Sequence, residues 1–257
     1  GETAPAIQLH LNRLKSVKAP ADAWKEIEQC RGLLAKAPDL QLAARTLRRA
    51  LNASPDSLGL RMFEAELVYM QGGLSRALET YDALAKRSPD DPILWGRIVE
   101  CATKAGNKPR AAEAYRALVR LRPDDPAMRV KLVALLPRGP ALDEQLGALG
   151  LRPPDAPQDL TSLVETCRRT ENFAALAAIL EKAKVDAKAT PALCVSLAEA
   201  YARLGQRDRI APVARRLVEA GGDDGRYFAG QPTGGEDQQV YTIAEDRHAQ
   251  QHADHRA

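Results

Sequence analysis

Two stretches of this chain repeat one another at an interval of 34 residues. Residues 77–92 read ALETYDALAKRSPDDP, residues 111–126 read AAEAYRALVRLRPDDP, and nine of the sixteen positions are identical. Self-similarity with a period of about 20 to 50 residues is typical of stacked repeats, in which each unit packs only on its neighbours. The interval therefore predicts a linear array of similar units.

Short motifs mark the ends of the helices within each unit. Prolines recur at the same interval of 34 residues, at Pro55, Pro89 and Pro123. In the motif Pro-Asp-Asp-Pro, Asp91 is placed to cap a helix whose first position is Pro92, where the missing N–H costs nothing. Glycine-containing turns at 72–73 and 106–107 divide each unit into two apolar patterns of helical length. Each unit is thus predicted to be a helix–turn–helix.

Composition excludes several classes of protein. Aromatic residues make up only 4% of the chain, which favours helices that pack closely through small side chains. No run reaches the roughly eighteen apolar residues of a membrane span, so we expect no membrane insertion within this segment. The 37 basic and 34 acidic residues give a net charge of +3, which provides no electrostatic case for binding a nucleic acid.

The repeated residues resemble the tetratricopeptide repeat (TPR) family. Residues 92–125 match its pattern with Trp95, Ile98, Gly106, Ala111, Tyr115 and Pro123. Residues 58–91 match it with Ala65, Gly72, Ala77, Tyr81 and Pro89, and residues 191–224 with Leu197, Ala198, Tyr201 and Gly205. Departures include Glu171, which stands where the family has glycine. The resemblance implies an all-α fold, a right-handed α-solenoid of antiparallel helix pairs (a TPR-like superhelix), with Tyr81, Trp95 and Tyr115 in its core.

The predicted organisation has three parts. Residues 1–23 form an N-terminal helix, interpreted as the remnant of an upstream repeat. Residues 225–257 form a Gly-rich linker and a polar C-terminal tail that could be helical. Between them, residues 24–224 form about six TPR-like units, at 24–57, 58–91, 92–125, 126–156 (degenerate), 157–190 and 191–224.

The residues point to neither catalysis nor a metal site. The histidines are His10, His248, His252 and His255, so residues 11–247 lack an imidazole for nucleophilic catalysis. Cys30, Cys101, Cys167 and Cys194 have no Cys-x-x-Cys spacing and are expected to be small buried thiols. The three tail histidines could share one helical face and chelate a metal, but we favour a reading in which they face water. We therefore expect no enzyme activity, no cofactor and no metal.

The resemblance also implies where a partner would bind. In similar proteins, the first helices of successive pairs line a concave groove, and the same repeat positions face it in every unit. In three units a glutamate precedes a basic residue by four positions, which also stabilises a helix surface by about 0.2–0.5 kcal/mol. The candidate partner-binding residues on the concave face are Met62, Glu66, Tyr69, Met70, Gly96, Glu100, Lys104, Val130, Ala134, Glu165, Arg169, Glu199 and Arg203.

We therefore predict a non-enzymatic scaffold that binds a peptide or protein segment in its peptide-binding groove. The alternative is an accessory TPR domain of a larger enzyme, such as a glycosyltransferase or a protease, whose catalytic part lies outside this segment. Self-association through the C-terminal tail is a further expectation. The Ala- and Arg-rich, Lys-poor composition suggests a bacterial source.

The compartment is predicted from the cysteines and the first residues. Free buried thiols favour the reducing cytoplasm. The sequence opens GETAPAIQLH, without a methionine or a charged-then-apolar leader, and is interpreted as an excised or processed segment. A periplasmic or membrane-tethered soluble domain is therefore the alternative.

Overall fold

A computed structural model describes residues 3–36, 40–185 and 190–219, and within these ranges the regular structure is helical throughout. The helices of the first half are α1 (Thr3–Ser16), α2 (Pro20–Lys36), α3 (Leu40–Ala53), α4 (Leu58–Met70), α5 (Leu74–Arg87), α6 (Pro92–Lys104) and α7 (Lys108–Leu121). Those of the second half are α8 (Pro126–Leu135), α9 (Pro140–Leu151), α10 (Pro157–Thr170), α11 (Phe173–Lys182), α12 (Pro191–Arg203) and α13 (Ile210–Glu219), with a short 3₁₀ turn at Arg207–Arg209.

The helix ends confirm the predicted capping and turn residues. The Asp91 carboxylate accepts hydrogen bonds from the backbone N–H groups of Ile93 and Leu94, at 2.9 and 3.2 Å, so it caps α6 as expected. Gly106 follows the first helix of its pair with φ +69°, a conformation that glycine adopts without strain. Glu171 takes the same left-handed conformation, with φ 57°, at the place where the family's glycine is missing.

The N-terminal unit, Gly1–Met128, is a stretch of α-solenoid whose core includes α1. Helix α1 packs against α2, α3 and α4, and its Ile7, Leu11 and Leu14 are fully buried. The backbone carbonyl of Leu14 accepts a hydrogen bond from Ser57 Oγ at 3.1 Å. A Cβ atom at Gly59 would lie only 2.6 Å from that carbonyl oxygen, so glycine permits this close approach. The origin of α1 in an upstream repeat stays a prediction.

The aromatic core of this unit differs from the predicted one. Tyr81 is fully buried, as expected. Trp95 and Tyr115 are only half-buried, so the prediction that they are core residues is wrong. Trp95 lies at the start of α6, where its Nε1 donates to the carbonyl oxygen of Pro89 and its ring is covered on one side by Arg110. The buried tryptophan is Trp24, on α2.

The C-terminal unit begins at Arg129. Within it α11 packs against α9, α10 and α12, and α12 packs against α13. Helices α8 and α9 lie within residues 126–156, and the interpretation of this segment as a degenerate repeat stays a prediction.

The cysteines are buried in both units, as predicted, and all four are free. Burial raises the pKa of the Cys167 thiol to about 12, and burial together with the negative charge of Glu26 does the same for Cys30. Both thiols therefore stay protonated at neutral pH, which is the inert state of a buried cysteine.

The linker and tail predicted for residues 225–257, including His248, His252 and His255, lie outside the described residues. Among the helices that are described, none is both long enough and apolar enough to cross a membrane.

Candidate partner-binding surface

Three helices of the N-terminal unit, α2, α4 and α6, are tied together by side chains that reach from one to the next. Helix α2 packs directly on α4. The indole Nε1 of Trp24 on α2 donates to the capping residue of α6, Asp91, at 2.8 Å. Tyr69 on α4 donates through its hydroxyl to the Glu100 carboxylate on α6. The three helices thus present one continuous side.

The centre of this side is a fully buried carboxylate, Glu66 on α4. Its Oε2 accepts a hydrogen bond from the Tyr81 hydroxyl at 2.9 Å. Arg31 Nε lies 3.3 Å from Oε1 and Arg97 Nε lies 3.4 Å from Oε2. Both are ionic contacts without well-aligned hydrogen bonds, since Glu66 Oε1 and Arg97 Nε lack a hydrogen-bond partner of good geometry. Two guanidinium groups therefore neutralise one buried charge.

Around Glu66, five charged side chains and one tyrosine form a continuous polar group that we call the α2–α4–α6 cluster. Glu28 lies 3.5 Å from Arg31 and 3.6 Å from Arg97. Arg97 also contacts Glu100 at 3.1 Å, and Glu100 contacts Lys104 at 3.3 Å. The cluster comprises Glu28, Arg31, Tyr69, Arg97, Glu100 and Lys104. With Glu66 included, three carboxylates balance three basic groups.

The pKa values of Glu100, in the cluster, and of Tyr81, which is bonded to Glu66, both depart from their ordinary values. Burial acts to raise the pKa of Glu100, but hydrogen bonds from Tyr69, Arg97 and Lys104 outweigh it and hold that pKa below its ordinary value. Burial, followed by the charge of Glu66, raises the pKa of Tyr81 well above its ordinary value. At neutral pH the carboxylate of Glu100 is therefore ionised and the Tyr81 hydroxyl keeps its proton.

The lowered pKa of Glu100 predicts a dependence of stability on pH. A carboxyl group with a lower pKa in the folded chain than in the unfolded one stabilises the fold above its unfolded pKa, near 4.5, and loses that contribution as the pH falls through the folded value. We expect Glu100→Gln to lower the melting temperature at pH 7 and to make little difference at the lowest pH where both proteins stay folded. Thermal melts of the two proteins from pH 7 downwards measure this, and a difference that stays constant over the range would contradict it.

Of the predicted site residues in the N-terminal unit, two are buried and five are at least partly exposed. Met62 and Glu66 are 1% and 0% exposed, so a partner cannot touch them, and their placement on an accessible face is corrected. Met62 lies on α4 and is part of the hydrophobic core. Glu66 is flanked by the guanidinium groups of Arg31 and Arg97. The remaining predicted residues are half-buried or exposed, namely Tyr69, Met70, Gly96, Glu100 and Lys104. Their contact with a partner stays a prediction.

The predicted residues of the C-terminal unit form different contacts from those expected. Val130 is buried in the core, so it too is corrected, whereas Ala134, Glu165 and Arg169 are exposed. Arg169 donates to the carbonyl oxygen of Ala134 at 3.3 Å.

The spacing of four residues predicted that Glu199 pairs with Arg203, and this prediction is wrong. This carboxylate binds Arg168 on the neighbouring helix α10, whose Nε lies 3.0 Å away. Arg203 lies over the ring of Phe173 instead. Of the three expected pairs, Glu100–Lys104 is the one that forms among the described residues.

Four residues of this surface, Trp24, Glu28, Arg31 and Arg97, were not among the predicted site residues. Three of them lie on α2, where the repeat pattern is weakest, so no repeat position marked them. Their spacing is nonetheless a signal, because residues 24, 28 and 31 follow one another at i, i+4 and i+7 and so share one face of a helix.

Comparisons with known proteins agree with this architecture. The family model described as tetratricopeptide repeat matches residues 33–92, 64–126 and 102–158. The three matches together cover residues 33–158, and this part of the chain consists of tetratricopeptide repeats. Repeats of this family form protein-interaction scaffolds, which is the functional class of this chain. No curated protein sequence matches it.

Among solved structures, one similar chain is a tetratricopeptide repeat protein from Parabacteroides merdae ATCC 43184, with 14% identity, a TM-score of 0.46, and coverage of 81% of this chain and 85% of that one. A chain of the Naa15/Naa10 structure bound to HypK-THB has 13% identity and a TM-score of 0.45 over 77% of this chain and 36% of that one. BtubC (BKLC) from P. vanneervenii has 14% identity and a TM-score of 0.37 over 84% and 87%.

Proposed function

We propose that this protein is a non-enzymatic scaffold whose α2–α4–α6 cluster binds a protein segment of mixed charge. The observation that carries the proposal is the fixed arrangement of Arg31 and Arg97 over the buried Glu66. A buried carboxylate holds both guanidinium groups in place before any partner arrives. Side chains that are already ordered lose less conformational entropy on binding, so they form better recognition sites than free surface charges.

The outer members of the cluster are suited to exchange one partner for another. Glu28 and Lys104 have 65% and 56% of their side chains exposed. Ion pairs between exposed groups contribute about 0–1 kcal/mol, so either of them can leave its present partner for a charged side chain of a bound segment at little cost. A segment that carries both an acidic and a basic residue would pair the basic one with Glu28 and the acidic one with Lys104, next to the ordered guanidinium groups of Arg31 and Arg97. Its affinity should decrease with salt, because exposed charges are screened.

The proposal predicts that removing the two exposed charges weakens partner binding without unfolding the protein. Glu28→Gln combined with Lys104→Gln leaves the net charge unchanged and leaves the contacts of Glu66 in place. We expect it to shift the free energy of unfolding by no more than about 0.5 kcal/mol, and to weaken binding of a captured partner by about tenfold, which corresponds to two rim contacts of about 0.7 kcal/mol each.

A matched control uses Glu113→Gln with Arg116→Gln, two exposed residues of opposite charge on α7, the second helix of its pair. Partners captured by the wild-type chain are identified by mass spectrometry, and their dissociation constants are measured for both double variants at two salt concentrations. If the α7 variant and the cluster variant bind a partner equally well, the cluster is not the recognition surface.

Two finer assignments accompany this proposal. We place the protein in the cytoplasm of a bacterium, which the four buried free thiols support through their preference for a reducing compartment. The alternative role as an accessory domain of a larger enzyme stays a prediction, which the full-length gene sequence tests directly.

A further inference from the structure

A pocket of about 510 Å³ lies in the C-terminal unit between α11, α12 and α13. Its size is within the range of cavities that enclose a small ligand or several side chains of a peptide. Its floor is apolar and consists of buried side chains, namely Leu180, Val185, Leu197, Tyr201 and Val213.

The rim of the pocket is charged and carries two acidic and three basic side chains, Glu181, Asp208, Lys184, Arg209 and Arg216. Glu181 is engaged, since it accepts from the Tyr201 hydroxyl at 2.9 Å and contacts Arg209 at 3.0 Å. Asp208 adds a second acid to the rim. Lys184 and Arg216 are exposed, and in the part of the chain that the structure describes neither forms an ion pair. The pocket therefore fits an apolar segment that brings acidic residues.

The chain itself contains a segment with this chemistry, in the 38 residues that follow the last described one, Glu219. Residues 236–246 read EDQQVYTIAED, with two acids at each end, no basic residue, and the apolar side chains of Val240, Tyr241 and Ile243 in the middle. The charge of this segment is opposite to that of Lys184 and Arg216.

The distance along the chain favours an intramolecular contact. Residues 220–235 connect α13 to the segment, and six of these sixteen residues are glycine. A Gly-rich chain of that length has a root-mean-square span of about 20–24 Å. Arg216, on the rim, lies only one turn of helix before the connecting residues. A tether of this kind gives an effective concentration of about millimolar, so even a weak contact is well populated.

We propose that residues 236–246 occupy the α11–α12–α13 pocket of the same chain. Val240, Tyr241 and Ile243 contact the apolar floor, and the flanking acids pair with Lys184 and Arg216. The inference is independent of the α2–α4–α6 cluster, because it concerns the other unit and a different occupant.

Amide hydrogen exchange on the full chain tests the proposal. We expect the amides of residues 239–244 to exchange at least tenfold more slowly in the wild-type protein than in the rim variant Lys184→Glu with Arg216→Glu. The control variant, Lys182→Glu with Arg215→Glu, makes the same charge changes at exposed neighbours that do not line the pocket, and it should keep the protection. Melting curves establish that both variants fold.

A second variant acts from the side of the segment and does not alter the repeats. In Val240→Asp with Ile243→Asp, the protection of residues 239–244 should be lost and the amides of α13 should exchange several-fold faster. Absence of protection in the wild-type chain would overturn the proposal, as would protection that survives both the rim and the segment variants. Protection that increases with protein concentration would also overturn it, since the occupant would then be a second copy.

Discussion

Replacing Glu66 with alanine is expected to lower the free energy of unfolding by about 3–5 kcal/mol. The carboxylate has no exposed surface, and it faces Tyr81, Arg31 and Arg97. Its removal leaves a buried hydroxyl without its acceptor and two guanidinium groups without the charge that holds them. Removing one partner of a buried ion pair is costly because the remaining charge stays partly desolvated, and a cavity adds to the loss.

Two further variants separate charge from shape. Glu66→Gln keeps the volume and an oxygen that can accept from Tyr81, so it should be less destabilising than Glu66→Ala. Glu64→Ala, on the same helix, removes a partly exposed carboxylate whose partner is Arg61 at 2.8 Å, and it should cost less than about 1 kcal/mol. Urea denaturation of the three variants gives the comparison. Equal costs for Glu66→Ala and Glu64→Ala would show that the buried contacts contribute nothing particular to stability.

The features of this fold that follow from local chemistry could be predicted from the sequence. Asp91 caps a helix through its own neighbours, and Gly106 takes a left-handed turn that few other residues adopt easily. Such features depend on a few consecutive residues, so the ends of several helices were predictable from the sequence. Glu171 shows the limit of this reasoning, because it takes the same turn conformation without being glycine.

The site was harder to predict because its contacts join residues that are far apart in the chain. Glu66 and Glu100 occupy the same repeat position, yet Glu66 is fully buried whereas Glu100 is partly exposed. The difference arises from Arg31, on a helix with a weak repeat pattern, which covers Glu66 on one side. Glu199 similarly binds Arg168, 31 residues earlier, and not the basic residue four positions later. Sequence spacing identifies which side chains of one helix could pair. It does not show whether a side chain of a neighbouring helix forms the contact instead.

The second large effect is expected at Trp24. This residue should contribute more to the free energy of unfolding than Trp95 does, although only Trp95 matches a position of the repeat pattern. Trp24 has 6% of its surface exposed, and its Nε1 donates to the Asp91 carboxylate that caps α6. Trp24→Ala should therefore cost about 3–5 kcal/mol, since it leaves a cavity and removes a hydrogen bond to a charged acceptor. Trp24→Phe keeps most of the ring and should cost about 1.5–3 kcal/mol, the range for a hydrogen bond to a charged group.

Trp95 is the matched control, because these are the two tryptophans of the chain and both donate a hydrogen bond through Nε1. Its ring is half-buried and its acceptor, the carbonyl of Pro89, lies in the turn just before its own helix. Trp95→Ala should cost about 1–2 kcal/mol, since it removes roughly half of the apolar burial of a core residue. Circular dichroism at increasing urea concentration measures all three variants without relying on tryptophan fluorescence. A cost for Trp95→Ala that equals that of Trp24→Ala would contradict this prediction, whereas the cost of Trp24→Phe measures the hydrogen bond that joins α2 to the N-cap of α6.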